Sequence, residues 1–206
     1  MNIRDVITKA RSENRTALDE FAGKQLLASF GISVPKAAVI KGADEAAAAF
    51  AKLTPPLALK VMSPDILHKS DAGGVKVNLK SAAEVADAIR GMMNSQPLRD
   101  ARIDGFLLEE MSPAGQEVVV GAVRDPQFGP LVMVGLGGIF VEVLADVAFR
   151  ICPITRLDAR EMLAELKGAA VLKGARGRKP ASQDAIVDVL LNIGGAGGLL
   201  ARHADD

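Results

Sequence analysis

Two rhythms of apolar and polar positions alternate along the first half of the chain. LDEFAGKQLLASF places Leu18, Phe21, Leu26, Leu27 and Phe30 mostly on one helical face. Thr16 is its expected cap, Asp19 and Glu20 stand in the first turn, and Gly31 is the expected stop. The same period returns in Val85, Ala88, Ile89 and Met92 behind Ser81 and Glu84, a capping-box pair. A further, alanine-rich helix is expected from Asp44 to about Leu53, ended by Thr54-Pro55-Pro56. Strand rhythm marks Ala37 to Ile40, the apolar run Leu57 to Met62, and the alternating VKVNL at 75–79. Residues 1–16 are charged and weakly periodic, and predict a partly ordered lead-in.

The second half reads as a meander. Strands are expected at 106–111, 117–123, 131–134, 139–144 and 147–151, separated by turns rich in glycine and proline. Thr155 caps a predicted helix to about Lys167, and Ser182 starts a last one. That helix runs into Gly194, Gly195, Gly197 and Gly198, each of which weakens a helix by roughly 1 kcal/mol relative to alanine. A βα-rich half followed by a meander with flanking helices predicts an α/β or α+β protein.

Composition narrows the function classes. The 206 residues suit one large domain or two small ones. Lys+Arg and Asp+Glu are equal at 25 each, so no global field favours nucleic acid or an anionic membrane. The absence of Trp and Tyr argues against stacking platforms for single-stranded nucleic acid. Cys152 is the single cysteine, which suits a reducing compartment, and the charged start at Arg4 and Asp5 is unlike a secretory signal. No apolar run reaches the roughly 18 residues of a membrane span. A soluble, cytoplasmic protein is expected.

Three places carry candidate chemistry. The first is LALKVMSPDILHKSDAGGVKVNL: a strand bearing Lys60, a polar loop with His68, then Gly73-Gly74 before the next strand. Lysine offers a point charge to phosphate, glycines let a backbone approach an anion, and a loop histidine can carry a phosphoryl group. A chance grouping in an ordinary surface loop accounts for the same residues. The second is Glu110, Met111 and Glu117 around a strand–turn–strand, which can read an adenine edge and hold ribose hydroxyls; from spacing alone, two solvated strand-end glutamates are the simpler account. The third is the glycine loop 135–138 with Glu142 and Arg150, which could cradle phosphate or serve as a tight connection. Lys173, Arg176, Arg178 and Lys179 form a basic patch, solvated by default and otherwise suited to an anion such as a coenzyme phosphate. The dinucleotide fingerprint, the GxxxxGK[ST] loop and the GxSxG elbow are all missing, and one Cys with two His makes no metal cluster.

Taken together, FAGKQLLASFGISVPK, HKSDAGGV, RDPQFGP and GLGGIFVE, in that order over residues 18 to 203, resemble one family. The chain is similar to the ATP-grasp domain of ADP-forming acyl-CoA synthetases, of the acetate–CoA ligase beta-subunit type, and more distantly to the succinyl-CoA synthetase beta subunit. The resemblance implies an α+β, ATP-grasp fold of two α+β subdomains with nucleotide between them. It divides the chain into a lead-in at 1–16, a first subdomain at 17–105 and a second at 106–206, truncated at its C-terminus. It implies a reversible reaction in which acyl-CoA, ADP and phosphate give acid, CoA and ATP through a phosphohistidine. His68 then matches the carrier, Lys60 the phosphate lysine, Gly73 and Gly74 the flexible phosphate loop, Glu110 and Met111 the adenine hinge, and Glu117 the ribose ligand. Glu142 and Arg150 fall in a phosphate-facing block. ATP or ADP and Mg²⁺ are implied, together with CoA-binding and ligase modules in a hetero-oligomer or fused chain. The family's acidic-x-Asn-Pro metal motif finds no match, so the metal ligands are unknown. That departure also admits a non-catalytic interaction or regulatory module with a degenerate ATP-grasp fold.

Overall fold

The computed structural model describes residues 3–13, 15–66, 68–138, 145–174 and 180–203. The chain folds as two compact units, Met1–Ser29 with Ser33–Pro113, and Phe30–Ile32 with Ala114–Asp206.

The first unit is built on an antiparallel sheet of four strands. These are β1 (Ala37–Ile40), β2 (Leu57–Met62), β3 (Val75–Leu79) and β4 (Gly105–Glu110), in the order β1-β4-β2-β3. Central β4 pairs with both β1 and β2, so the first unit extends past the expected boundary at 105/106, to Pro113. Alternation divides its faces. Leu57, Leu59, Val61, Phe106 and Leu108 join a core with Val85, Ile89 and Met92 of α4 (Ala82–Asn94) and Ala46 and Ala49 of α3 (Ala46–Phe50). Ala58, Lys60, Leu107 and Glu109 point the other way, where α2 (Glu20–Ser29) supplies their polar partners.

Several expected limits shift. The cap of α2 is Asp19, whose Oδ1 accepts from the Ala22 N–H at 2.8 Å, rather than Thr16. The lead-in contains a helix, α1 (Ile3–Ser12): Ile3, Val6 and Ile7, at helical spacing, lie against Leu18 and Leu26. Ser81 does cap α4 by accepting from Glu84 N–H, but the Glu84 carboxylate closes onto the Lys80 N–H instead of Ser81. The alanine-rich segment is a 3₁₀ turn, Ala43–Glu45, followed by the short α3.

The second unit carries a meander of β5 (Val118–Asp125), β6 (Gly129–Leu136) and β7 (Val147–Ile151), all antiparallel. Its inner rows, Val118 with Leu136 and Val120 with Val134 and Ala148, pack on Met162 and Leu163 of α5 (Arg156–Glu165) and Val187 and Leu190 of α7 (Gln183–Gly194). Between those helices lies the short α6 (Ala169–Leu172). Thr155 and Asp158 form the complete capping box of α5. The glycine-rich stretch is a break rather than a weakened helix: α7 ends at Gly194 and α8 (Leu199–His203) starts afresh. The strand expected at 139–144, with Glu142, lies outside the described residues, as do Arg176, Arg178 and Lys179.

Candidate active site

Lys60 stands on β2 beside Glu109 of β4. Ala58 is the register partner of Glu109, which makes Lys60 its diagonal neighbour on the same face. Lys60 Nζ donates to Glu109 Oε1 at 2.6 Å and to Glu20 Oε1 at 2.6 Å. Lys24, one turn along α2 from Glu20, bonds Glu20 at 2.9 Å and also Glu109. Lys69 completes the group with a bond to Glu20 Oε2 at 2.8 Å. Three ammonium groups therefore share two carboxylates, leaving one excess positive charge. Burial pushes the Glu20 carboxyl up, but hydrogen bonds from Lys60, Lys69 and Lys24 outweigh it and bring its pKa down to about 2. Burial pulls the Lys60 ammonium down, and its bonds to Glu109 and Glu20 more than reverse this, so it stays charged above its ordinary range.

His68 is exposed at the start of a turn that folds onto itself. Ala72 N–H donates to His68 C=O at 3.2 Å, Gly73 N–H to Ser70 C=O at 3.1 Å and Gly74 N–H to Lys69 C=O at 2.7 Å. The turn is fastened to β2 by Val61 N–H on Gly74 C=O at 2.8 Å. A Cβ on Gly74 would stand 2.5 Å from Val61 Cγ1, so this glycine is needed for close approach to the strand. The Gly-Gly pair thus secures a compact turn, and its two N–H groups are engaged within it.

Glu110 and Met111 are also engaged. Glu110 Oε1 accepts from Thr54 N–H at 2.8 Å, and Glu110 N–H donates to Lys36 C=O at 2.9 Å. Met111 N–H donates to Pro56 C=O at 3.2 Å, and its sulfur accepts from Asn78 N–H at 3.3 Å. In the second unit, Glu117 and the glycine loop, separate candidates in the sequence, form one corner. Gly137 N–H donates to Glu117 C=O at 2.7 Å, and a Cβ on Gly137 would stand 2.7 Å from Glu117 Cβ. Arg150 does not share that corner. It lies in the row of Ala122 and Val132, on the helix-covered side, and grips Glu165 of α5 with the two terminal guanidinium nitrogens, which raises its pKa. The opposite face of the sheet is apolar, with Gly121, Met133 and Phe149 in one row and Val123, Leu131 and Ile151 in the next; Val123, Phe149 and Ile151 are about half exposed.

An ATP-grasp domain family matches residues 9–195 of the chain. The chain belongs to the ATP-grasp family. It is 46% identical over 195 residues to the beta subunit of Pyrococcus furiosus acetate–CoA ligase [ADP-forming] I, covering 93% of this chain and 83% of that protein. It is 45% identical over 177 residues to Archaeoglobus fulgidus acetate–CoA ligase [ADP-forming] I, covering 83% of this chain but 25% of that longer protein. Among solved structures, ACD1 of Ca. Korarchaeum cryptofilum in complex with coenzyme A superposes with a TM-score of 0.88 at 43% identity, over 92% of this chain and 84% of that one. An acetyl-coenzyme A synthetase from the same organism, with coenzyme A and Mg-AMPPCP and its phosphohistidine segment pointing towards the nucleotide site, gives 0.80 at 40% identity, over 92% and 83%.

In this ATP-grasp domain the described residues contain no group of three His, Cys, Asp or Glu able to hold a metal. They offer no protein-built cage; magnesium bound mainly by nucleotide phosphates and water requires none. Sequence reasoning passed over Glu20, Lys24, Lys69 and Glu109. The i,i+4 pair Glu20–Lys24 was a visible signal, as was the alternation that puts Glu109, not Glu110, on the Lys60 face. It also passed over Asp146, buried and accepting from the N–H groups of Lys167 and Gly168 at 2.8 Å each, which ties the entry of β7 to the end of α5.

Proposed function

We propose that this ATP-grasp domain is the nucleotide-binding, phosphoryl-transferring component of an ADP-forming acyl-CoA ligase. The observation that carries the reading is the exposed His68 on a compact turn, joined through Lys69 and Glu20 to Lys60. A histidine carrier needs access to two sites, and a phosphate needs fixed cations. In the direction of ATP synthesis, a β-phosphate oxygen of ADP attacks phosphorus on phospho-His68. The P–O bond forms, the P–N bond breaks, and its electron pair returns to the imidazole. The reverse step loads His68 from ATP. Lys60 holds the nucleotide phosphates, and its charge, nearly fixed in place by Glu109, stabilises the transferring group without reorganisation. Magnesium, when bound with the nucleotide, supplies further charge neutralisation. Glu117 is the ribose ligand of this reading, Gly73 and Gly74 shape the carrier turn, and Met111 with Glu110 borders the base.

Because the Met111 N–H is engaged, the base is read on this stretch by a carbonyl rather than by that donor. The apolar face around Met133 and Phe149 is suited to a base as well. Arg150 and Glu142 are assigned at most a supporting role in this reading. CoA, acyl phosphate and acid selectivity belong to a CoA-binding partner, an alpha subunit or a fused module, in a cytoplasmic hetero-oligomer.

Titration calorimetry with ADP, with and without Mg²⁺, tests the reading. Saturable binding is expected, weakened roughly 10- to 100-fold by Lys60→Ala, as the loss of a charge-assisted bond requires. His68→Ala is expected to bind as the parent does and to take no label from γ-³²P-ATP. Label retained in that variant, or a folded chain that binds no nucleotide, overturns it; the latter outcome favours a non-catalytic module.

A further inference from the structure

Glu20 holds both a cation assigned to the phosphates and the turn assigned to the carrier. Its Oε1 accepts from Lys60 and Lys24, at 2.6 and 2.9 Å, while Oε2 accepts from Lys69, the residue after His68, at 2.8 Å. The carbonyl of Lys69 accepts from Gly74 N–H, so a pull on Lys69 is transmitted through the whole hydrogen-bonded turn. The two carboxylates of the cluster are not equivalent. Glu109 is buried in the centre of the sheet, with 7% of its side chain exposed, whereas Glu20 has 24% exposed and begins a helix. Glu20 and Lys69 also line a cavity of about 460 Å³ with Ser63, Asp65 and Arg102, which gives small anions a route to their ion pair.

A phosphate presents oxygens much as a carboxylate does, and prefers the same ammonium groups. We propose that Glu20 is a positioning residue that latches the His68 turn to Lys60 through Lys69, and that an incoming phosphate competes with it for both lysines and so releases the turn from α2, leaving Lys69 held only by the exchangeable anion. Glu109 keeps Lys60 in place during the exchange, so the anion gains a prepared cation while the turn exchanges its fixed tether on α2 for a mobile one. The inference rests on the nucleotide reading for its biological phosphate, but the latch itself is a property of this chain.

Hydrogen–deuterium exchange over residues 63–75, combined with pyrophosphate titration by calorimetry, tests it. In the parent chain, saturating pyrophosphate is expected to raise exchange in the turn severalfold. Glu20→Gln is expected to exchange about tenfold faster without any anion, to respond no further to pyrophosphate, and to bind pyrophosphate several times more tightly. Glu20→Asp, which keeps the charge, should recover part of the slow exchange. Lys69→Met opens the same latch from the other side without touching α2: it should show the fast exchange with weaker pyrophosphate binding. The double variant should exchange no faster than either single one.

A folded Glu20→Gln chain with the parent's exchange, or one that binds pyrophosphate no more tightly, overturns the proposal. Should Glu20→Gln fail to fold, parent-like exchange in Lys69→Met overturns it instead. A chain that binds pyrophosphate but not ADP loses the nucleotide reading and keeps the latch. One that binds ADP, with the turn indifferent to Glu20, loses the latch and keeps the nucleotide reading.

Discussion

The Glu20 carboxylate meets three ammonium groups with two oxygens, and its ionisation is therefore coupled to folding. Its pKa falls from an ordinary 4.5 to about 2, so the folded state binds this proton less readily than the unfolded chain. The resulting stabilisation is fully present above pH 4.5 and is lost as the pH falls from there towards 2, and it amounts to at most about 3 kcal/mol. Lys60 has the opposite sign: its raised pKa contributes stability below 10.5 that disappears as the pH rises through the raised value. Urea unfolding of the parent and Glu20→Gln across the acid range isolates the first effect. The parent should be the more stable at pH 7, and the difference should shrink between pH 4.5 and 2. A difference that stays constant through that window would show that the bridge is not what Glu20 contributes.

At the scale of elements, the period-2 alternation of a strand decides both core and site. Leu57, Leu59 and Val61 enter the core while Ala58 and Lys60 turn away, and β4 repeats this with Phe106 and Leu108 against Leu107 and Glu109. Truncating Leu108, which is fully buried, should cost about 2–5 kcal/mol in chemical denaturation. Phe149→Ser, on the half-exposed outer face of β7, should cost roughly 1 kcal/mol or less. Equal losses at the two positions would contradict the assigned faces.

The limits of β1, β2, β3 and β7 were legible because apolar runs and alternation are local signals. So were the Thr155 cap and the start of a helix at Ser182. The polar cluster was not, since its bonds join residues 40, 49 and 85 positions apart and depend on which face of β4 meets α2. Arg150 illustrates the converse: its block resembled a phosphate-facing one, but strand parity sends the side chain to Glu165. Glu117 and the glycine loop became one corner only through the pairing of Val118 with Leu136.

For the whole molecule, the decisive quantity is how much of a ligase this chain represents. It spans 83% of one beta-subunit relative yet a quarter of a longer one. Its two units each carry a core of their own. Among the described residues no helix is long and apolar enough to cross a membrane. The division of labour then predicts a sharp contrast. With acyl-CoA, ADP, phosphate and Mg²⁺, the chain alone should form no ATP, although it binds ADP. Adding the CoA-binding alpha subunit of a related ligase should restore ATP formation with the parent, but not with His68→Ala. If the chain alone makes ATP, the acyl chemistry does not reside in a partner. If the mixture is active with His68→Ala, the phosphoryl group reaches ADP by a route that bypasses this turn, and the compact loop behind Lys60 has to be read as a structural brace for β2 and β3.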